Sequence, residues 1–314
     1  MNYLFGVIIP YVAAIILLAG ILYRITRWAG APVPFRIPTT CGQQRSLPWI
    51  GSSRLDNPHS TLGVIGRMAL EILLFRSLFR NTKADLKPGP ALVYGSAKWL
   101  WIGAMAFHWS LLIILIRHLR FFTEPQLSFV VSLQNLDGFF QVAMPVVLLS
   151  DGILAAAGTF LLVRRLIDSR LRYISLAADY FPLLLIGSIA ATGILMRHIY
   201  KVDLRSVKEL TMSLITLHPS TPSDLGTLFY VHMFLVSVLC AYVPFSKLMH
   251  MGGIFLSPTR NLANNSRMRR HVNPWNYDVK VHTYAEYEEE FGSVMAAADI
   301  PMEKTRPANE GKAN

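Results

Sequence analysis

Five runs of apolar residues in this chain are long enough to cross a lipid bilayer, at roughly 3–23, 98–119, 139–163, 175–197 and 226–249. A hydrocarbon core about 30 Å thick takes about 20 helical residues, and inside it every backbone polar group must find a partner within the protein. The predicted fold is therefore all-α, a five-helix transmembrane bundle. With 53% of its residues hydrophobic, the chain is too apolar for a soluble protein of 314 residues, and the apolar residues come in blocks. A further stretch, 61–79 (TLGVIGRMALEILLFRSLF), is apolar but holds Arg67, Glu71 and Arg76. Three charges at bilayer depth are unfavourable, so this segment reads as a helix lying at the membrane interface or packed on a partner.

The net charge of +11 is explained by topology. With five spans and the N-terminus outside, residues 24–98 face the cytoplasm with eleven Lys and Arg, loop 164–172 adds four and the tail from Lys247 adds nine. The outer loops hold six: Arg117, Arg120, Arg197, Lys201, Arg205 and Lys208. A bias of 24 against 6 follows the positive-inside rule. It needs no nucleic acid as partner, and it places a multi-pass protein in the cytoplasmic membrane with its C-terminus inside.

The divisions are a first span (1–23), a basic cytoplasmic loop rich in Pro and Gly (24–97), a four-helix core (98–250) and a hydrophilic cytoplasmic tail (251–314). The N-terminal run lacks a basic n-region and a small-residue cleavage site, so it reads as a span rather than a signal peptide. Two cysteines, Cys41 in a loop and Cys240 in a span, offer neither a disulfide framework nor the four thiolates of an iron–sulfur cluster, and no CxxCH exists for covalent haem. The last fifteen or so residues have a disordered composition.

Within the core, His108 and His118 lie ten residues apart in one apolar run, and His232 and His250 eighteen apart in another. Ionisable groups inside spans are expensive and mark function. At 100° per residue, eighteen residues close five turns and ten leave about 80° between side chains, so each pair lies on one broad face. The two spans run antiparallel, which levels His118 with His232 near the outer side and His108 with His250 near the inner side. Each level is a bis-histidine site for one haem b iron. The axial spacings, about 15 Å and about 27 Å, require tilt, and Pro244 is a candidate kink in the fifth span. A single histidine in an apolar span is more often a packing residue than a ligand; four at matched depths are not. His59, His218, His271 and His282 fall in loops or the tail, and His198 opens an outer loop.

Haem propionates need cations at the membrane faces. Arg117 and Arg120 are the outer candidates, and Lys247 is the inner one, with Lys98 and Arg164 at the same level. Proton acceptance near the outer haem would fall to a carboxylate. Glu124, Asp137 and Asp203 are the outer carboxylates, while Asp151 is the more deeply embedded acid and Asp179 lies near the inner end.

The H-x9-H span followed by an H-x17-H span resembles the cytochrome b (gamma) subunit family of respiratory nitrate reductases. APVPFRIPTTCGQQRSLPWI, FHWSLLIILIRHLRFFTEP, DYFPLLLIG, KELTM and FLSPTRNLANNSRMRRHVNPWNY are similar to the M-subunit branch, found in the Dsr membrane complexes of dissimilatory sulfur metabolism. The resemblance implies two haems b on His118/His232 and His108/His250. It implies menaquinol as substrate, oxidised near the outer haem, in an electron-transfer subunit that is not active alone. It also implies partners: a cytoplasmic iron–sulfur subunit (subunit K, similar to the catalytic subunit of heterodisulfide reductase), a second membrane subunit resembling subunit P, a periplasmic multihaem cytochrome c and a periplasmic iron–sulfur protein, all amid membrane lipid. The basic loop and tail, with NNSRMRRHVNPWNY foremost, would dock the cytoplasmic partner. The rival within the class is a true nitrate reductase gamma subunit, which needs neither the long loop nor the tail. The rival outside it is a membrane anchor without cofactor.

Overall fold

Long apolar helices dominate the computed structural model, which describes residues 2–31, 53–89, 91–138, 146–264 and 281–303. A π-helical turn, Leu4–Ile8, leads into α1 (Ile9–Ala29). Then come α2 (Thr61–Leu74), α3 (Arg76–Phe79), β1 (Thr82–Lys87), β2 (Ala91–Ser96) and α4 (Lys98–His118). The chain continues through α5 (Ser128–Asp137), α6 (Leu149–Ile167), α7 (Ser169–Ile174), α8 (Ala177–His198), α9 (Leu204–Ile215) and α10 (Thr227–Tyr242). It closes with α11 (His250–Leu256), α12 (Pro258–Asn261) and α13 (Tyr284–Ala297).

Among the described residues four stretches have the length and hydropathy to cross a membrane: Leu4–Ala29, Lys98–Phe121, Ala177–His198 and Thr227–Phe245. Four of the five expected spans are thus present. Of the fifth, expected at 139–163, the described part is α6, whose first helical residue is Leu149 and which carries Asp151, Arg164 and Arg165 within 19 residues. Residues 139–145 lie outside the described residues. Packing runs α4 on α6, α6 on α8, α8 on α10 and α10 on α1. One buried cluster, Phe107, Leu154, Ala157 and Ile186, joins α4, α6 and α8. A second, built on Val207, Leu210, Leu225, Phe229 and Tyr230, ties α9 to the start of α10, with Phe5 and Phe121 against it.

Small residues let these helices approach, as membrane bundles require. A Cβ on Gly103 of α4 would sit 2.5 Å from the Phe160 ring of α6, and one on Gly20 of α1 would sit 2.4 Å from Pro244.

The second contact marks a correction. His232 and His250 are not on one helix. Pro244 has no N–H to continue α10, a 3₁₀ turn covers Val243–Phe245, and Ser246 is extended at φ −115°, ψ 174°. A second 3₁₀ turn, Lys247–Met249, then leads into α11. The backbone groups freed by the break are satisfied: Arg24 Nε donates to the Pro244 carbonyl at 2.9 Å, and Leu248 N–H donates to Ser246 Oγ at 3.2 Å. The five-turn argument for one common face therefore fails, and tertiary packing places His250 instead.

Segment 61–79 folds as α2 and α3, joined at Phe75 in the left-handed region (φ 48°). Its charges are met from within the chain. Arg67, 2% exposed, donates to the Thr259 carbonyl, and Glu71 accepts from the Ser77 N–H at 3.0 Å and from its hydroxyl, with Arg260 at 3.7 Å. The helix packs on α12, and the indoles of Trp101 and Trp109 on α4 donate to the carbonyls of Leu74 (2.7 Å) and Leu73 (3.1 Å) in its last turn. Those are carbonyls that no helical N–H can reach.

The loop is not purely helical or irregular, so the all-α expectation needs amendment. β1 and β2 form an antiparallel hairpin, Thr82 opposite Ser96 and Lys87 opposite Ala91, turning at Gly89 with φ +88°. Both strands are almost wholly exposed, so neither shows the alternation that a buried face would imprint on its sequence.

The chain divides into two units, Met1–Val272 and Asn273–Asn314. In the second, α13 starts with a capping box: Thr283 Oγ1 accepts from Glu286 N–H, and the Glu286 carboxylate accepts from Thr283 N–H at 2.8 Å. Most of the proposed docking stretch NNSRMRRHVNPWNY, Cys41 and the terminal residues from 304 lie outside the described residues.

Candidate haem-ligand sites

The four core histidines fall into two sets. His108, midway along α4, and His250, first residue of α11, have ring centroids 6.0 Å apart with planes at 84°. Two imidazoles on one metal, each nitrogen about 2.0 Å from it, would put their ring centroids about 6 Å apart. Phe75 and Phe107 pack edge-on to the His108 ring, at 5.0 and 5.4 Å between centroids. Phe75 is there only because the chain turns through the left-handed region after α2, and nothing in the local sequence signals it.

His118 ends α4 and His232 lies in the second turn of α10. Gly193 of α8 approaches the His232 ring, where a Cβ would lie 3.5 Å from Cε1.

A shared feature of the rings decides what they can do. His108 Nδ1 lies 2.8 Å from the Ala104 carbonyl, His118 Nδ1 2.7 Å from the Ile114 carbonyl, and His250 Nδ1 2.8 Å from the Lys247 carbonyl. A carbonyl can only accept, so each of these Nδ1 atoms carries the proton and each Nε2 keeps its lone pair. His232 Nδ1 is 2.8 Å from Thr192 Oγ1, whose own hydrogen is directed to the carbonyls of Ser188 and Ile189, each at 2.9 Å. The same tautomer follows. Four neutral imidazoles with Nε2 free and Nδ1–H anchored are the donor set that haem iron takes, and anchoring of the second nitrogen is how ligand histidines are oriented. The residues present fit the group. Among the described residues no three His, Cys, Asp or Glu side chains gather as a metal site, so each set offers two imidazoles and nothing else.

The charged candidates have definite partners. Arg117 is 8% exposed and donates to Asp137, to Ser150 Oγ at 2.6 Å and to Asp151 at 3.0 Å. Asp137 also accepts from Ser150 N–H at 2.8 Å and from its hydroxyl at 2.7 Å. Burial pushes the Asp137 carboxyl up, but the Ser150 and Arg117 hydrogen bonds outweigh it and hold the group below the usual carboxylate range. This cluster joins α4, α5 and α6 one residue from His118; spacing alone does not reveal it, because Asp137 and Asp151 meet Arg117 only through the fold. Arg120 donates to Gln134 at 2.8 Å and lies over the Phe121 ring at 4.6 Å. Lys247, mostly exposed, donates to Asp179 at 2.5 Å, and Lys98 lies 5.7 Å from the Phe79 ring. Glu124 pairs with Lys208. Asp203 caps α9, and the Ser206 and Arg205 hydrogen bonds hold its carboxyl below its ordinary range.

A bundle of membrane-length helices that sets His108 and His250 ring to ring at 6.0 Å, with His118 and His232 anchored the same way elsewhere on α4 and α10, has donor groups that a membrane cytochrome b would need. Comparison with known proteins agrees: the family model described as "Nitrate reductase gamma subunit" matches residues 69–271. The "Hdr-like menaquinol oxidoreductase cytochrome b-like subunit" of Archaeoglobus fulgidus is 47% identical over 279 residues, 87% of this chain and 83% of the relative. The protein of the same description from Archaeoglobus profundus is 42% identical over 274 residues, 85% of this chain and 81% of the relative. The chain belongs to the nitrate reductase gamma subunit family, as a cytochrome b of the kind expected from the M-subunit resemblance.

Proposed function

We propose that this protein is the dihaem cytochrome b subunit of a quinol-linked complex. It oxidises menaquinol near the outer membrane face and passes electrons across the membrane to a cytoplasmic iron–sulfur subunit resembling heterodisulfide reductase, in dissimilatory sulfur metabolism. The observation that carries this reading is the 6.0 Å approach of His108 and His250 from separate elements, each with Nδ1 anchored on a carbonyl. The Archaeoglobus relatives are described as menaquinol oxidoreductase subunits, which supports menaquinol as the substrate class.

Haem, when bound, supplies a one-electron iron centre. His118 and His232 hold the outer one, and His108 and His250 the inner one. The Nδ1 hydrogen bonds fix ring orientation and raise ligand basicity. Arg120 and Lys247 meet propionates at the two faces. Arg117 lends positive charge at the outer face while its fork stays on Asp137 and Asp151. Phe75 and Phe107 keep water from the inner ligand.

The N-terminus lies outside, and α6 serves as the return crossing from outer to inner face. Its Asp151 is neutralised by Arg117, and Arg164 and Arg165 fall in its last turn, where basic residues reach the cytoplasmic headgroups. The basic loop and tail dock the iron–sulfur subunit; a second membrane subunit and periplasmic redox proteins complete the assembly.

The test is a reduced-minus-oxidised spectrum of the purified protein with haem quantified per chain. Two b-type haems per chain are expected. A pure, folded chain without b-type absorbance overturns the proposal.

A further inference from the structure

His250 meets His108 from an exposed position, so burial of its own side chain does not hold it there. The break at Pro244 also leaves it outside α10. What fixes its backbone lies on either side. Upstream, Arg24 of α1 donates to the Pro244 carbonyl at 2.9 Å, and Met249, next to His250, is buried. Downstream, α11 passes Gly253 against Trp28 of α1, where a Cβ would lie 3.6 Å from the indole, and runs through Ser257 into α12. A helix of four residues has no stability of its own, so α12 stays where its partners put it.

Those partners come from the segment between α1 and α4. Buried Arg67 of α2 donates to the Thr259 carbonyl. Glu71, one turn on and on the same helix face, lies 3.7 Å from Arg260. A third joint is made by two buried asparagines: Asn264 N–H donates to the Pro58 carbonyl at 2.7 Å, and its side-chain amide donates to Asn57 Oδ1. The same segment is bound to α4 at its other end. The indoles of Trp109 and Trp101 take the carbonyls of Leu73 and Leu74, and the Phe75 ring stands edge-on to His108 at 5.0 Å. Residues 57–75 thus touch the His108 ring at one end and the chain just beyond His250 at the other. Buried polar contacts of this kind serve best to fix register, which an apolar face alone would leave free to slide.

We infer that α2 is a brace for the inner ligand pair, with Arg67, Glu71 and Asn264 as positioning residues that set where His250 stands and how its ring plane meets that of His108. The inference rests on the dihaem reading above and gives the charges of the 61–79 segment a role in it. None of the three is a ligand; they act through the backbone of α11 and α12. Two ring planes at 84° from elements joined only through a helix break need such a support, because a ligand geometry is no more exact than the element that carries it. The outer pair is anchored differently, on the Ile114 carbonyl and the Thr192 hydroxyl, so loss of the brace is felt at one site only.

The test uses the full-length protein in its native complex, read by haem content and by electron paramagnetic resonance of the oxidised state. The low-spin ferric signal of a bis-imidazole haem depends on the angle between its two ring planes, so it reports ligand orientation directly. The signal missing from His108→Ala identifies the inner haem. Arg67→Gln and Asn264→Ala should each move that signal and weaken retention of the inner haem about tenfold, with the outer signal unchanged. Arg67→Lys, which keeps a donor for the Thr259 carbonyl, should restore both signal and retention. Wild-type signals and retention in both Arg67→Gln and Asn264→Ala overturn the inference. So does equal loss of both haems, which general destabilisation would give, and so does an Arg67→Lys protein no better than Arg67→Gln. A wild-type protein that shows no b-type band with dithionite refutes the dihaem reading itself, whereas two haems that ignore these substitutions refute the brace alone.

Discussion

Removing the Asp137 carboxylate should loosen the outer end of the bundle by an amount the structure sets. Asp137→Ala deletes the acceptor for three donors: the Arg117 guanidinium and the Ser150 N–H and hydroxyl. Ser150 is 2% exposed, so its N–H has no route to water, and an orphaned buried donor costs about 1–3 kcal/mol. Arg117 keeps Asp151 at 3.0 Å and Ser150 at 2.6 Å, so the loss stays below the roughly 3–5 kcal/mol of a buried charge stripped of its partner. About 3 kcal/mol in all is expected, near a hundredfold in the unfolding equilibrium. Glu124→Gln is the matched control. It breaks an ion pair whose carboxylate side chain is 67% exposed, worth less than about 1 kcal/mol. Denaturant unfolding in detergent micelles, followed by tryptophan fluorescence, measures both. An Asp137→Ala protein as stable as wild type, or no less stable than Glu124→Gln, refutes the claim that this cluster holds α4, α5 and α6 together.

The Asp137 carboxyl lies below its unfolded value, so its contribution is complete above about pH 4 and is lost as pH falls through the folded value; the gap between wild type and Asp137→Ala should stay level from about pH 5 to 8 and narrow in more acidic buffer. Thr192→Val removes the anchor of His232 Nδ1 and should weaken retention of the outer haem by about 10–100-fold, seen as loss of one haem on dilution with the inner one kept. Gly20→Leu drives a side chain into Pro244, which a Cβ would already meet at 2.4 Å, and overpacking of this kind costs about 1–3 kcal/mol; a thermal midpoint equal to wild type would show that α1 and the helix break are not in contact.

Much of this was legible in the sequence because it follows from the bilayer. A run such as Lys98–His118 has one solution in hydrocarbon, and the helix found there keeps the expected ends within a residue. The pairing of His108 with His250 was read from depth, and their 6.0 Å approach is consistent with it. The route to that approach differs from the expected one: Pro244 suggests a kink within one helix, whereas the helix stops before it and Arg24, 220 residues away in sequence, donates to the Pro244 carbonyl. The hairpin leaves no alternating pattern in the sequence because its strands are almost wholly exposed. The charges of α2 mark it as a helix at the interface or on a partner, but the groups within the chain that meet Arg67 and Glu71, on Thr259, Ser77 and Arg260, are not visible in the local pattern. Partners that meet only through tertiary structure leave no mark on local pattern.

The most direct measurement is haem content and redox titration of four single variants, His108→Ala, His250→Ala, His118→Ala and His232→Ala. The account predicts one haem lost in each, the same potential missing from His108→Ala and His250→Ala, and the other missing from His118→Ala and His232→Ala. Loss of different haems within either pair, or four variants that retain both, contradicts it.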